Sequence, residues 1–154
     1  MKVAIAADHR GFNLKTDLMT QYYDAGDGVE WVDLGAEVFR PTDDYVDYAV
    51  ALVEQMQVNP EIEKGVLICG SGVGMSIVAN RFIGIRCGLG FNVDQVKEAR
   101  AADDINVLAL PSDFTNLVHA RNVVEMFLKT AYDNLPAHQR RLDELHSLEV
   151  QENG

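Results

Sequence analysis

Cysteine is scarce in this chain: Cys69 and Cys87 are the only two. Two separate thiols make neither a disulfide framework nor a CxxC pair, which points to a reducing, cytoplasmic setting. Proline is scarce as well, four in 154 residues, and no linker-like stretch or internal repeat interrupts the chain, so one domain over 1–154 is expected. Positive charge is short: 13 Lys and Arg stand against 24 Asp and Glu, a net charge of -11. That field repels phosphate backbones and anionic bilayers, which excludes nucleic acid and membrane surfaces as partners. An anionic ligand must then be small and gripped by locally concentrated donors. No apolar run approaches the ~20 residues of a spanning helix, and the opening MKVAIAAD reaches an acid after a few apolar residues, so neither leader nor anchor is expected. What remains, 47% hydrophobic residues and 12 glycines, is the composition of a packed globular fold.

Short β-rich apolar runs alternate with amphipathic stretches almost to the C-terminus, the pattern of βαβ units around a parallel sheet. Strands are expected at Val3 to Ala7, Val29 to Leu34, Val66 to Cys69, Ile85 to Leu89 and Val107 to Leu110. Between them, helices are expected at Asn13 to Ala25, Tyr45 to Gln57, from Ser76, and at Val93 to Ala102 and Thr115 to Tyr132. Leu14, Leu18 and Tyr22 make an apolar stripe on the first helix, which Gly26 and Gly28 end. A final helix over about 136–150 carries Leu142, Leu145 and Leu148 along one face, more apolar surface than a small domain needs, so it is expected to pack on a neighbouring subunit. The fold class is α/β: a Rossmann-like (flavodoxin-like) three-layer α/β/α sandwich with a five-stranded parallel sheet. In such folds ligands bind where strand C-termini meet helix N-termini.

The third strand runs directly into Cys69-Gly70-Ser71-Gly72-Val73-Gly74-Met75-Ser76. A glycine-rich strand-to-helix junction presents backbone amides outward and favours negative charge. Met75 occupies the place of the last glycine of a dinucleotide fingerprint, and no lysine precedes the serine as a P-loop requires, so no nucleotide cofactor is implied. A cradle for a phosphate or a reaction oxyanion remains. Cys69 stands beside it, where nearby amides favour a thiolate able to exchange protons, provided the sulfur opens to a cleft. Cys87, inside a strand, reads as an ordinary buried thiol. His119 and His146 lack metal-ligand spacing and read as surface or interface residues, and no metal site is expected. A receiver domain is disfavoured because its acceptor aspartate would follow the third strand, where cysteine and glycines stand.

DHRGF (Asp8 to Phe12), CGSGVGMSIVANRFIGIR (Cys69 to Arg86), NVLAL (Asn106 to Leu110) and HQRR (His138 to Arg141) resemble, in order and spacing, the ribose-5-phosphate isomerase B / galactose-6-phosphate isomerase family. The resemblance covers nearly the whole chain. It implies metal-free, cofactor-free interconversion of aldose and ketose phosphates by a homodimer or homotetramer with active sites between subunits. It assigns Cys69 as the base between C1 and C2. Ser71 with the amides of Gly70, Gly72, Val73 and Gly74 becomes the anion hole for a cis-enediolate. Asp8, His9, Tyr45 and Asn106 become sugar contacts, and Arg141, with His138 and Arg140, the phosphate grip contributed by the neighbouring subunit. Where another branch carries a glutamate base, this chain has Met75, which leaves the task to Cys69.

The pattern breaks in several places. Ala102 and Asp103 stand where the family carries His-Asn, Ala137 replaces an arginine, Val46 a proline, and Pro111 a common glycine. Three alternatives follow: an isomerase of another sugar phosphate, a cysteine-bearing subunit of a heteromer with a second family member, or a sugar-phosphate sensor without turnover.

Overall fold

The computed structural model describes residues 1–25 and 28–152, so Gly26, expected to help end the first helix, lies outside the described residues. Five strands form one parallel sheet: β1 (Lys2–Ala7), β2 (Glu30–Asp33), β3 (Ile62–Cys69), β4 (Cys87–Leu89) and β5 (Val107–Pro111). Six α-helices accompany them: α1 (Phe12–Ala25), α2 (Tyr45–Val58), α3 (Val73–Ala79), α4 (Val93–Asp103), α5 (Leu117–Lys129) and α6 (Pro136–Glu152). The strand order is β2-β1-β3-β5-β4. The first three strands keep the flavodoxin order and the last two exchange places, which makes the three-residue β4 an edge.

Alternation along the strands divides the core into two sheet faces. Val3, Ile5, Val66, Ile68, Leu108 and Leu110 pack against Leu18 and Tyr22 of α1, Val96 of α4 and Val123 and Phe127 of α5. Ala4, Ala6, Leu67 and Cys69 face Leu52 and Val53 of α2 and Met75 and Ala79 of α3. The small alanines of β1 let α2 lie close to the sheet. Lys15 on α1 is 2% exposed, and its ammonium is held by Asp33 Oδ1 at 2.5 Å and the Ala36 carbonyl at 2.8 Å, which ties α1 to the end of β2.

Several boundaries differ from the sequence reading. β3 begins at Ile62, four residues early, because it pairs with β1 along its length and centrality overrides the polar Glu63 and Lys64. α3 begins at Val73, inside what reads as glycine loop. The helix expected at Thr115 to Tyr132 is α5, Leu117–Lys129, shorter at both ends; the Asn116 side chain caps it at 2.9 Å from the His119 amide, and a 3-10 turn, Ser112–Phe114, precedes it. α6 starts with Pro136 at its first position, where the missing N–H costs nothing. It lies along its own chain: Leu142, Leu145 and Leu148 line a groove of about 530 Å³ with Ile85 and Ile105, and Glu149 accepts from the Gly84 amide at 3.1 Å. Leu145 and Leu148 nevertheless remain 43% and 59% exposed. No helix among the described residues is long and apolar enough to cross a membrane.

Candidate active site

The C-terminal ends of β1 and β3 are adjacent, and the chain departs from them to opposite sheet faces, leaving a crevice of the kind open α/β sheets use for ligands. The loop after β1 supplies Asp8, His9 and Arg10. Asp8 is 4% exposed, and its Oδ1 accepts the Arg10 and Gly11 amides at 3.0 Å each, which fixes the turn into α1. His9 is tethered twice to Asp43 Oδ1: its amide donates at 2.9 Å and its ring Nδ1 lies 2.7 Å away. Burial pushes the Asp43 carboxyl up, but the His9 amide and ring, with the Tyr48 hydroxyl, outweigh it and hold the carboxyl below the ordinary aspartate value. Burial and the Asp43 charge both raise Tyr48, which keeps its hydroxyl protonated.

The glycine loop sits against the neighbouring loops so closely that side chains are excluded. Gly72 has φ 74°, and a Cβ there would lie 2.6 Å from Leu89 Cδ1. Both the left-handed backbone and the space require glycine. A Cβ on Gly74 would lie 2.8 Å from the Tyr45 ring, so Tyr45, the first residue of α2, closes over the loop while staying 39% exposed. Ser76 is the first residue to bond back within α3, to the Gly72 carbonyl at 3.1 Å. The Val73 amide turns to Ser71 Oγ at 3.3 Å, which leaves the Gly74 and Met75 amides without intrahelical acceptors. Ser71 itself is exposed.

Cys69 ends β3 as expected, but its side chain does not stand open at the loop. It turns to the α2–α3 face beside Met75 and is 4% exposed, because the strand's alternation directs every second residue into that core. Leu67 and Ile68 before it have no exposure at all. Burial, followed by the charge of Cys69, pushes the Cys87 thiol up to about 12.

The structure therefore brings together Asp8, His9, Tyr45, Cys69, Gly70, Ser71, Gly72, Val73 and Gly74. It places Asn106, His138 and Arg141 elsewhere. Asn106 precedes β5 at the opposite end of the sheet, five residues of strand, or roughly 17 Å, from the level of Cys69. Its amide is consumed there: Oδ1 accepts from the Arg86 amide at 2.8 Å and Nδ2 donates to the Gly84 carbonyl at 2.8 Å. There it holds the α3–β4 connection. His138 is paired with Asp133 at 2.8 Å, while Arg141 and Asp103 line the α6 groove. The two sets lie at opposite ends of the sheet.

Sequence reasoning missed Asp43 and Arg10. Asp43 lay in an acidic loop with no pattern of its own, and only the fold brings it to His9. Arg10 was visible inside DHRGF, between two residues that were singled out, and its guanidinium lies directly over Gly70.

The chain matches the Ribose/Galactose Isomerase family over residues 3–145. It is 34% identical over 149 residues to a putative sugar phosphate isomerase of Bacillus subtilis, covering 97% of each chain. It is 35% identical over 152 residues to ribose-5-phosphate isomerase B of Escherichia coli, covering 99% of each. The crystal structure of ribose-5-phosphate isomerase B from Mycoplasma genitalium with bound ribulose-5-phosphate superposes with a TM-score of 0.88 at 33% identity, over 97% of this chain and 96% of that one.

Proposed function

The chain belongs to the ribose/galactose isomerase family, and from that membership we propose that it interconverts an aldose phosphate and its ketose, of the ribose 5-phosphate/ribulose 5-phosphate type. The reaction proceeds in the cytoplasm through a cis-enediolate, without metal, with Cys69 as base. The observation that carries this reading is the convergence of Asp8, the Asp43-tethered His9, Tyr45 and the glycine loop on the β1–β3 crevice.

Cys69 removes the C2 proton of the open-chain aldose, and the C1 carbonyl electrons move to O1. The O2 hydroxyl proton passes to O1, which moves the charge to O2, and return of the carbon-bound proton from Cys69 to C1 as O2 becomes the carbonyl completes the transfer. Ser71 Oγ and the free first-turn amides hold the oxyanion between these steps. His9, oriented by Asp43, contacts the ring oxygens and, in place of the histidine replaced by Ala102, assists opening. Arg141 and His138 of a neighbouring subunit meet the phosphate, since their own protomer holds them at the far end of the sheet. The covered sulfur is the feature that runs against the base assignment, and substitution decides it.

Asp103, lining the groove beside Arg141 where the family carries asparagine, favours a second reading in which the substrate is another sugar phosphate or a second family member completes the site. The test is a panel of ribose 5-phosphate, allose 6-phosphate, galactose 6-phosphate and erythrose 4-phosphate, assayed in chelator with Cys69→Ala alongside. Turnover of one member that is lost in Cys69→Ala supports the proposal. Binding without turnover by any of them selects the sensor.

A further inference from the structure

We propose that Arg10 is the phosphate-gripping cation that this chain itself contributes to the β1–β3 crevice, and that Asp113 is a resident counter-ion competing with the ligand for it. The proposal rests on the sugar-phosphate reading above. Among the loops that leave the C-terminal ends of the five strands, the arginines are Arg10 and Arg40. Arg40 lines a different cavity, with Asp33 and Glu37. Arg10 instead lies on the glycine loop: a Cβ on Gly70 would approach its Nε to 2.5 Å and its Nη1 to 2.8 Å, so the absence of a side chain at position 70 makes room for the guanidinium.

Four contacts fix this arrangement. The Arg10 carbonyl and the Cys69 carbonyl are each 3.0 Å from Ser112 Oγ, which ties the β1, β3 and β5 loops together. The Asp113 amide donates to the Gly70 carbonyl at 3.0 Å, and its carboxylate pairs with Arg10 Nη2. The other two acids of the crevice are already engaged: Asp8 Oδ1 by backbone amides and Asp43 Oδ1 by His9. The Arg10 side chain stays 55% exposed, so its planar fork can meet two oxygens arriving from solvent. In a chain of net charge -11, a carboxylate over this cation neutralises it until a more strongly charged anion, such as a phosphate dianion, replaces it.

Calorimetric binding of inorganic phosphate and of ribose 5-phosphate to the full chain tests this with Arg10→Met, Arg10→Lys and Asp113→Asn. Loss of a charge-assisted pair predicts that Arg10→Met weakens both ligands ~10- to 100-fold, and that Arg10→Lys restores part of the loss. Removing the competitor predicts ~3- to 10-fold tighter binding by Asp113→Asn. Where turnover is measurable, the changes fall on KM rather than kcat. Wild-type affinity in Arg10→Met, or weaker binding in Asp113→Asn, overturns the proposal even if isomerase activity is intact. The expected binding shifts with every sugar phosphate left unconverted would uphold the proposal and overturn the isomerase reading instead.

Discussion

The His9 ring and the His9 backbone amide converge on one oxygen of Asp43, at 2.7 and 2.9 Å, so a single carboxylate fixes both the position and the orientation of the imidazole. Asp43 is almost covered, its side chain 8% exposed, and belongs to the loop that enters α2. The geometry suits Asp43 as an orienting acid behind the histidine proposed to assist ring opening. Asp43→Asn keeps the shape and removes the charge, and is expected to lower kcat/KM ~10- to 100-fold while leaving the glycine loop in place. Initial-rate kinetics measure the first effect, and retained affinity for inorganic phosphate checks the second.

The same pair sets an acid limit. The Asp43 carboxyl lies below its ordinary value in the fold, so its contribution to stability is present above about pH 4 and is lost as pH falls through the lower, folded value. Thermal unfolding followed from pH 6 downward should show this loss in the wild type. Asp43→Asn, with no carboxyl to titrate, should lack that component, and an unchanged acid profile in the variant would remove the linkage.

Cys69 and Cys87 share a sheet face and differ in what surrounds them. With Cys87 pushed up to about 12, its thiolate is negligible near neutral pH. Iodoacetamide at pH 8 is therefore expected to modify Cys69 first, slowly because of its cover, and bound sugar phosphate should slow it further. Peptide mass mapping reads the order. Cys69→Ala is expected to cost at least ~100-fold in kcat, the scale of losing a positioned base.

Glycines of the loop fail in distinct ways when filled. Gly72→Ala meets both a left-handed backbone and the Leu89 side chain at 2.6 Å. It is expected to destabilise by about 1–3 kcal/mol, lowering Tm by roughly 2–10 °C. Gly74 has ordinary helical backbone, and an added methyl would press on Tyr45 at 2.8 Å. Gly74→Ala should leave Tm nearly unchanged and raise KM by displacing that ring. Equal stability losses in the two variants would contradict the separation.

Much of this was legible before the fold was known, and the misses share a cause. Leu18 and Tyr22 of α1 declared their burial through helical spacing, and the apolar run from Val66 declared a strand covered on both faces. Glu63 and Lys64 concealed the first half of β3, because only pairing with β1 makes those polar residues strand. The exchange of β4 and β5 was invisible, since three residues of edge strand carry no information about their neighbour. At the site, residues adjacent in sequence could be found from motifs. The Asp43–His9 tether and the Arg10–Asp113 pair join positions distant in sequence, which one chain read alone does not connect.

Asp103 and Arg141 share the α6 groove while Cys69 and His9 stand at the other end of the sheet, so one subunit cannot place both sets on one ligand. If a neighbouring copy supplies Arg141, loss of Cys69 and loss of Arg141 damage different halves of the same site. Cys69→Ala and Arg141→Ala should each be nearly inactive alone. Unfolded together and reassembled as an equimolar mixture, they should form dimers in which one of the two sites pairs wild-type halves. Random reassortment makes half of the dimers mixed, which predicts recovery to about a quarter of wild-type activity. Recovery at that level, tracking the mixed species by native mass spectrometry, supports the shared site. Mixed dimers with no recovered activity would require both sets to act within one protomer, which the separation along β5 does not permit without refolding α6.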